Sequence, residues 1–390
     1  MRVALDARWI YSEISGIGSY TRELVRHLSL VDRTNAYTLL FDSEILRDRT
    51  IAELALSEAH NFEARLVPWG IFSIRNQLLL PDWLLRAEIN VFHSTNYMIP
   101  FRAFPRTGPR STACVCTVHD VIPLKFPQFV PKSKKARLFF IFKWVMRQAG
   151  LRADAIITVS NSSREDTILH LGIPDANAAK VRTIYNGVSD RFKPEGSRSF
   201  EKPVDATRTL LYVGRSDPYK NLTTLIRAIA EYRKMPAPPV VLTIAGSPDP
   251  RYPEAQQLAS GLGLNDIVRW TGYLSDDALL KLYQEADLLV HPSIYEGFGL
   301  QVVEAMACGT PVICSNAASL PEVAGDAAIM LDPMDTAGFA AKIREVLGNP
   351  ALAKQMSDKG LLRAAKFTWN RCASETMAVY ESVARSRNAS

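Results

Sequence analysis

Two glutamates, Glu296 and Glu304, stand eight residues apart in a segment whose residue types suit a polar ligand. The segment runs from Ser293 to Gly309, reads SIYEGFGLQVVEAMACG and follows an apolar stretch at Asp287 to Val290. We predict a strand, a loop and a helix, with Glu296 in the loop and Glu304 in the helix. Either glutamate alone is ordinary surface charge, but the pair can accept hydrogen bonds from two parts of one hydroxyl-rich ligand.

The loop between the two glutamates favours close approach of a ligand to the backbone. Gly297 and Gly299 carry no side chain that would block such an approach. No Ser, Thr, Asp or Asn stands at the predicted helix start, so its first N–H groups are left without a side-chain cap. An uncapped helix start of this kind suits a phosphate group.

A second segment with charged residues in a turn is YVGRSDPYKN, from Tyr212 to Asn221. Arg215 can bind phosphate oxygens in a bidentate manner, and Lys220 supplies a point charge. Both would stabilise a phosphate leaving group. In isolation, a turn with Arg and Lys is more often solvated surface. We expect Asn221 to cap the helix that follows.

Two weaker signals lie in the first half of the chain. The segment SGIGSYTREL, beginning at Ser15, contains Gly16 and Gly18 but has Thr21 where a dinucleotide fingerprint needs a third glycine, which counts against NAD. His119 ends a predicted strand, where open α/β sheets place ligand groups. A lone histidine at such a point is as often structural as functional.

The two-glutamate segment resembles the signature of the retaining glycosyltransferases of family 4, which have the two-domain GT-B fold. The resemblance implies that Glu296 contacts hydroxyls of the donor sugar and that Glu304 binds the nucleotide ribose. It also implies that backbone amides of the loop bind sugar and phosphate, and these belong to Gly297, Phe298, Gly299 and Leu300.

Further segments extend this resemblance over nearly the whole chain. They imply that Arg215 and Lys220 clamp the donor diphosphate and that His119 approaches the donor sugar. Gly16 and Gly18 would form a glycine-rich loop facing the cleft between the domains. Tyr273 and Leu274 resemble the segment that lines the nucleobase pocket, although an aromatic residue there is packed core as often.

Alternating apolar strands and helical patterns must position these residues, which predicts an α/β fold with parallel sheets. At 390 residues, two domains are expected. We predict two doubly wound Rossmann-like domains, at 1–192 and 209–368, joined by a linker at 193–208. The remaining segment, 369–390, is predicted to be a terminal helix that docks on the N-terminal domain.

The resemblance implies glycosyl transfer with retention, by same-face attack of the acceptor hydroxyl. Without an Asp-x-Asp triplet, we expect neither a metal ion nor another cofactor. Similarity to bacterial mannosyltransferases favours GDP-mannose as donor and a saccharide acceptor, lipid-linked, in polysaccharide or glycolipid synthesis. The alternatives are UDP-glucose or another hexose donor, a sugar-nucleotide epimerase or phosphorylase on a related fold, and a non-catalytic sugar-binding module.

The net charge of +6 is concentrated in one segment. Between Asp120 and Asp154 there is no acidic residue, and eight basic residues fall there: Lys125, Lys132, Lys134, Lys135, Arg137, Lys143, Arg147 and Arg152. This segment, 125–152, resembles an interfacial anchor for an anionic membrane surface, although its apolar residues are expected to pack in the core. No nucleic-acid module is apparent.

The expected location is the cytoplasm, with peripheral attachment at the inner face of the cell membrane. Five cysteines, an odd number with no Cys-x-x-Cys pair, favour a reducing compartment. The first residues lack the pattern of a secretory signal, and no apolar run is long enough to span a bilayer.

Overall fold

A computed structural model of this chain describes residues 1–11, 16–108, 110–129, 138–247 and 249–388. The chain divides into two compact units. Unit 1 consists of Met1–Gly187 and Thr368–Ser390, and unit 2 of Val188–Phe367.

The described part of unit 1 contains a seven-stranded parallel sheet in the order β3-β2-β1-β4-β5-β6-β7. The strands are β1 Arg2–Asp6, β2 Ala36–Phe41, β3 Phe62–Leu66, β4 Val91–Ser94, β5 Ala113–Val118, β6 Ala155–Thr158 and β7 Val181–Thr183. Apolar runs in the sequence predict strands at 2–6, 37–41, 91–93, 113–118 and 155–159, which are present, but they do not predict β3 and β7. Charged residues interrupt β3, which lies at one edge of the sheet, and β7 has only three residues at the other edge. The inner strand β5 is buried along its whole length, as a sheet covered on both faces requires.

Six α-helices described before residue 188 belong to unit 1, and most of them lie between consecutive strands of its sheet. They are α1 Gly16–Val31, α2 Glu44–Glu53, α3 Ile74–Arg86, α4 Ile122–Lys125, α5 Phe139–Arg152 and α6 Asn161–Leu171. The core between sheet and helices is apolar, with Leu80, Phe92 and Ile156 fully buried. The order of the strands in the sheet reverses between β1 and β4. From this pair, β2 and β3 continue the sheet on one side, and β5, β6 and β7 continue it on the other.

The aromatic residues of helix α5 were expected to be buried in the core, but two of them are exposed. Phe140 is 71% exposed and Trp144 is 53% exposed. The buried face of the helix is made by Met146, Ala149 and Gly150 instead. At Gly150 the helix approaches α6 closely, since a Cβ there would lie 3.0 Å from Leu171 Cδ2. The predicted basic cluster Lys132, Lys134, Lys135 and Arg137 lies outside the described residues.

Unit 2 contains a six-stranded parallel sheet in the order β10-β9-β8-β11-β12-β13. Its strands are β8 Arg208–Val213, β9 Val240–Ala245, β10 Val268–Gly272, β11 Leu288–His291, β12 Val312–Ser315 and β13 Ile329–Leu331. Its helices are α7 Leu222–Tyr232, α8 Glu254–Gly261, α9 Asp276–Glu285, α10 Leu300–Ala307, α11 Leu320–Ala324, α12 Thr336–Leu347 and α13 Pro350–Ala364. Apolar runs in the sequence predict five strands in this unit, at 209–213, 240–245, 267–270, 287–290 and 311–314, and all five are present, whereas β13 was not predicted.

The segment 193–208, which the sequence predicted as a linker, lies in unit 2. Arg198 donates a 2.9 Å hydrogen bond to Thr310 Oγ1, and Lys202 pairs with Asp287. The last helix, α14 Trp369–Asn388, lies in unit 1. It packs on α1, where His27 Nδ1 lies 2.7 Å from Asn370 Oδ1. No described helix has both the length and the apolar character needed to cross a membrane.

Candidate functional site

In unit 2, the loops after β8 and β11 meet at the carboxyl edge of the sheet. These strands are neighbours at which the strand order reverses, and ligands of open α/β sheets bind at such a point. The backbone N–H of Ile294 donates to the Tyr219 carbonyl over 2.8 Å. Asn221 ties the loops further, because its amide nitrogen donates to the carbonyl oxygens of Pro292 and Pro333. Asn221 occupies the N-cap position of α7, as predicted, but its side chain forms no capping hydrogen bond because the amide is engaged by these carbonyl oxygens.

Glu296 is the centre of this arrangement. The Lys220 ammonium lies 2.8 Å from both of its carboxylate oxygens, and both side chains are largely buried. His291 Nε2 lies 2.7 Å from Oε1 of the same carboxylate. Burial alone would raise the pKa of Glu296, but the Lys220 charge and the His291 hydrogen bond outweigh burial and hold the pKa well below its usual range. Glu296 is therefore an ionised carboxylate at neutral pH.

His291 is a site residue that the sequence reasoning missed. It ends β11, is fully buried and stacks on Tyr212 with ring centroids 6.0 Å apart. An ionised carboxylate only accepts hydrogen bonds, so His291 Nε2 carries the hydrogen. Its Nδ1 is buried and has no hydrogen-bond partner among the described residues. The available signal was a histidine at the end of an apolar strand, directly before Pro292.

The glycine-rich loop joins Glu296 to the start of α10. Gly299 precedes the helix with φ of 96°, and a Cβ there would lie 2.6 Å from Leu320 Cδ2. Ser319 holds the loop, because its hydroxyl lies 3.0 Å from the Glu296 carbonyl oxygen and 2.9 Å from that of Phe298 and shares its hydrogen between them. The predicted uncapped start of α10 is confirmed, as Gly299 occupies the N-cap position and no side-chain cap forms there. Gly297 and Leu300 complete this loop and helix start.

Glu304 lies on α10 but has a partner different from that of Glu296. The hydroxyl of the buried Tyr283 lies 2.8 Å from Glu304 Oε2. Burial raises the pKa of Glu304 to about 7, although the Tyr283 hydrogen bond and the Arg191 charge act in the opposite direction. The carboxyl group therefore titrates near neutral pH, and an additional hydrogen-bond donor would favour its ionised form.

Arg215 stands apart from the pair that Lys220 forms with Glu296. Its side chain is 60% exposed and its Nε lies 2.9 Å from Asp217 Oδ2. The guanidinium is thus accessible to a ligand, whereas the Lys220 charge is already matched by a buried carboxylate. The sequence predicted a similar role for these two cations and contained no signal for this difference.

Backbone segments approach one another closely after β8, β9 and β10. The N–H of Gly246 donates to the Gly272 carbonyl over 3.2 Å, and a Cβ on Gly246 would lie 2.1 Å from the Gly214 carbonyl oxygen. Only glycine fits there. Tyr273, which follows Gly272, is exposed and Leu274 is half-buried, so Tyr273 is not packed core.

His119 in unit 1 lies at the carboxyl end of β5. Its Nε2 lies 2.9 Å from the Thr95 carbonyl oxygen, which only accepts, so Nε2 donates. The Tyr20 ring stands edge-on at 4.7 Å, and burial lowers the pKa of His119. Gly16 begins α1 and Gly18 is buried in its first turn, whereas Ser15 of the same motif lies outside the described residues.

A buried hydrogen-bond chain beneath His119 was not predicted. Tyr20 Oη lies 3.1 Å from Thr117 Oγ1, which lies 2.9 Å from His93 Nε2. His93 Nδ1 in turn lies 2.6 Å from the Tyr380 hydroxyl on α14. Burial lowers the pKa of His93 to about 3, so this imidazole is neutral. The last helix of the chain thus supports the strand that carries His119.

Within the described ranges, no group of three His, Cys, Asp or Glu side chains is arranged to hold a metal ion.

Two family models match the chain. Residues 14–192 match Glycosyltransferase Family 4, and residues 195–363 match Glycosyl transferases group 1.

Curated relatives cover much of the chain. It is 27% identical to the O-antigen chain mannosyltransferase B of Escherichia coli, over 98% of this chain and 100% of that protein. It is 29% identical to the serotype-specific mannosyltransferase WbdA of Escherichia coli, over 85% of this chain but only 40% of WbdA. It is 30% identical to a glycogen synthase of Mycobacterium tuberculosis, over 75% of this chain and 68% of that enzyme.

Solved structures share the fold at lower identity. A sucrose-phosphate synthase from Thermosynechococcus elongatus aligns with a TM-score of 0.75 and 21% identity, over 98% of both chains. Anabaena HepE in complex with UDP-glucose aligns with a TM-score of 0.70 and 17% identity, over 98% of this chain and 100% of that one. The predicted α/β fold of GT-B type, with two Rossmann-like parallel-sheet domains, is confirmed.

Proposed function

We propose that this chain, which belongs to glycosyltransferase family 4, transfers a mannosyl residue from GDP-mannose to a saccharide acceptor with retention of the anomeric configuration. The observation that carries the proposal is the ionised, buried Glu296, placed directly before the uncapped start of α10. One element thus presents a carboxylate to hydroxyl groups and backbone amides to phosphate.

In this proposal, each site residue of unit 2 contacts a different part of the donor or supports a residue that does. Glu296 accepts hydrogen bonds from hydroxyls of the donor sugar, and Glu304 from the nucleotide ribose. Arg215 and the amides at Gly297 to Leu300 stabilise the charge that develops on the departing diphosphate. Lys220 keeps Glu296 ionised and contributes positive charge beside it. Tyr273 and Leu274 line the nucleobase pocket. In unit 1, His119 approaches the donor sugar, and Gly16 and Gly18 belong to a glycine-rich loop that contacts the donor.

Retention is proposed to occur by attack of the acceptor hydroxyl on the face that the diphosphate leaves. The departing phosphate oxygen takes the proton of that hydroxyl, so no covalent intermediate with the enzyme forms. Glu296 suits this reaction as a hydrogen-bond acceptor rather than as a nucleophile, because Lys220 and His291 already engage its oxygens. An α-linked product from the α-linked donor is expected in the NMR spectrum, and a β-linkage would contradict this mechanism.

The names of the relatives support mannose as the transferred sugar. Two E. coli relatives are mannosyltransferases, and one of them matches 98% of this chain. The main alternative donor is UDP-glucose, which the structurally similar HepE binds. Polysaccharide or glycolipid synthesis in the cytoplasm, on a lipid-linked acceptor, fits the O-antigen relative.

A donor panel tests the proposal. GDP-mannose, UDP-glucose, UDP-galactose and GDP-fucose are each incubated with the enzyme and an α-mannoside acceptor, and release of nucleoside diphosphate is measured. We expect release with GDP-mannose only when the acceptor is present, without added metal and in the presence of EDTA. Conversion of the donor without an acceptor would indicate an epimerase, binding without turnover a sugar-binding module, and release from UDP-glucose alone a glucosyltransferase.

A further inference from the structure

The carboxyl group of Glu304 is held by a hydrogen bond at one of its two oxygens. Oε2 lies 2.8 Å from the hydroxyl of Tyr283 on α9. In the described part of the chain, no hydrogen bond reaches Oε1, and the residue is partly exposed to solvent. An ionised carboxylate only accepts hydrogen bonds and has about four lone-pair positions. The second oxygen is therefore available to a hydroxyl group of a ligand.

The Tyr283 hydroxyl is the donor in this hydrogen bond. Tyr283 is fully buried, and burial, with the added effect of Glu304, raises the pKa of the phenol well above its ordinary value. The phenol therefore keeps its proton at neutral pH. When Glu304 is ionised, the O–H of Tyr283 donates to Oε2 in a charge-assisted hydrogen bond. This bond fixes one oxygen of the carboxylate and favours its ionised form.

Other contacts hold Tyr283 in place without help from Glu304. Its ring stands edge-on to that of Phe192, with centroids 5.6 Å apart and an angle of 83° between the planes. Its backbone carbonyl accepts a hydrogen bond from the hydroxyl of Thr310. Thr310 Oγ1 in turn accepts a 2.9 Å hydrogen bond from Arg198. Both the ring and the backbone of Tyr283 are thus fixed, as a residue that orients another side chain requires.

The remaining charges near Glu304 act in opposite directions. Burial raises the pKa of Glu304 to about 7, the Tyr283 hydrogen bond and then the Arg191 charge lower it, and Asp276 raises it. Arg191 and Asp276 also pair with each other, with 2.5 Å between Nη1 and Oδ2. The Cys308 thiol is neutral at pH 7, because burial raises its pKa to about 12. Tyr283 is therefore the group in direct contact that supports the carboxylate.

The position of Glu304 on α10 suits a ribose. Glu304 is the fifth residue of this helix, about 6 Å along the axis from Leu300 at its uncapped start. A phosphate at a helix start is bonded to the ribose of the same nucleotide. A ribose that extends from this phosphate along the helix brings its hydroxyls towards Oε1.

We propose that Tyr283 is a positioning residue for the donor ribose: it anchors Oε2 of Glu304 so that Oε1 accepts a hydrogen bond from a ribose hydroxyl. This inference rests on the proposed function, which brings a nucleotide to Glu304. It assigns to Tyr283 a part in the selection of ribonucleotides over nucleotides without ribose hydroxyls. A carboxyl group without this anchor rotates about its side-chain bonds and holds its proton more readily, and a protonated oxygen accepts a ribose hydrogen bond less well.

The test compares two nucleotides by titration calorimetry at pH 7 with the full chain, namely GDP and 2′,3′-dideoxy-GDP. Wild type should bind GDP on the order of tenfold more tightly. Tyr283→Phe keeps the ring against Phe192 and removes only the hydroxyl. This variant should reduce the affinity ratio to roughly two- to threefold, by weakening GDP and leaving 2′,3′-dideoxy-GDP almost unchanged.

The matched control is Tyr232→Phe. Tyr232 is also a buried tyrosine of unit 2, and its hydroxyl donates a 2.7 Å hydrogen bond to the Pro238 carbonyl. Tyr232→Phe should keep the wild-type ratio. If Tyr283 only packs the core, Tyr283→Phe weakens both nucleotides equally and the ratio is unchanged, which would overturn the inference.

A double substitution shows whether Tyr283 acts through Glu304. In the Glu304→Ala background, Tyr283→Phe should not reduce the ratio further, because the carboxyl group that it positions is absent. A further fall in the ratio in this background would show that Tyr283 reaches the ribose by another route, and the inference would be wrong.

The outcomes separate this inference from the proposed function. If wild type shows the expected ratio but transfers sugar from none of the donors, the proposed function fails and the inference stands. If wild type transfers mannose and Tyr283→Phe keeps the wild-type ratio, the inference alone fails. If UDP binds instead of GDP, the same ratio is measured with UDP and 2′,3′-dideoxy-UDP. Binding of neither GDP nor UDP by wild type would overturn both.

Discussion

The ammonium nitrogen of Lys220 lies 2.8 Å from each carboxylate oxygen of Glu296, in a pair that is largely shielded from solvent. Breaking such a pair leaves one buried charge without a partner, which costs about 3–5 kcal/mol. Two residues that the sequence assigned to different groups of the donor are therefore a single electrostatic unit. A substitution of either residue tests both, and this affects how each experiment is designed.

We predict that Lys220→Met lowers the free energy of unfolding by about 3–5 kcal/mol, measured by urea denaturation at pH 7. Glu296→Gln with Lys220→Met should lose less than the sum of the single changes, because no charge is left unpaired. Since the pKa of Glu296 lies below its unfolded value of 4.5, its contribution is present above pH 4.5 and is lost as the pH falls. Additive losses would show that the pair is not coupled.

Glu296→Ala should lower turnover on the order of 100-fold while nucleoside diphosphate affinity changes much less. The physical reason is that its proposed partner is the sugar, whose contacts strengthen in the transition state. Titration calorimetry with GDP gives the affinity and diphosphate release gives the turnover. A Glu296→Ala variant that lost GDP affinity but kept full turnover at saturating donor would contradict the assignment.

Glu304 predicts a pH dependence, because its pKa is raised to about 7. Between its unfolded value of 4.5 and about 7, the folded protein holds a proton that the unfolded chain has released, so Glu304 makes stability fall as pH rises through this range. A ribose hydroxyl donates its hydrogen bond to the ionised carboxylate, so ribose binding is stronger at higher pH. We expect GDP affinity to increase as pH rises through 7 in wild type.

The matched control for this pH dependence is Glu304→Gln, which keeps the size of the side chain and cannot ionise. Phosphate groups of GDP titrate in the same range, so only the difference between wild type and Glu304→Gln reports on Glu304. Parallel pH profiles of the two proteins would remove Glu304 from nucleotide binding.

The example of Glu304 shows how far the sequence alone reaches. The strand, loop and helix around Glu296 and Glu304 were predicted because apolar runs and glycines determine local structure. The partners of the two glutamates could not be predicted. Tyr283 and Lys220 come from other elements, and only the tertiary fold brings them to the carboxylates.

The sequence-based prediction was least accurate for edge strands of the sheet and for the exposed faces of helices. Strand β3 alternates between charged and apolar residues, which is typical of an edge strand but equally of a loop. In α5, apolar composition predicted burial of Phe140 and Trp144, whereas the face that turns inward includes Gly150, which packs closely on Leu171 of α6. Burial of a helix face depends on the shape of its neighbours, which composition does not encode.

His291 is predicted to position Glu296. His291→Leu removes the 2.7 Å hydrogen bond to the carboxylate and should lower kcat about tenfold or more with little change in GDP affinity. His291→Gln, whose amide can place a donor near the position of Nε2, should recover part of the loss. If Leu and Gln variants of similar thermal stability show equal kcat, the role of His291 is packing alone.

Arg215 should behave differently from Lys220, because its side chain is exposed and its ion-pair partner among the described residues is Asp217. Arg215→Ala should weaken donor binding and slow diphosphate release without a measurable loss of folding stability. Arg215→Lys should rescue only in part, since an ammonium cannot bind two phosphate oxygens with a rigid fork. Wild-type kinetics in Arg215→Ala, together with complete inhibition by EDTA, would replace the proposed leaving-group stabilisation by a metal ion.

The last prediction concerns the basic segment 125–152 and an anionic membrane surface. On α5, the exposed Phe140 and Trp144 lie beside the exposed Lys143 and Arg147, a combination that suits the interface of an anionic leaflet. Basic residues near such a surface contribute about 1 kcal/mol each, and aromatic side chains that insert add binding that salt does not screen.

We expect wild type to sediment with phosphatidylglycerol vesicles at low salt and, more weakly, at high salt. Lys132, Lys134 and Lys135 changed together to Gln should remove most of the binding at low salt, whereas Phe140→Ser with Trp144→Ser should remove the part that survives high salt. Leu169→Ser, at a 72% exposed position of α6, is the matched control and should bind like wild type. Equal sedimentation of all four proteins, or of none, would leave the segment without a role at the membrane.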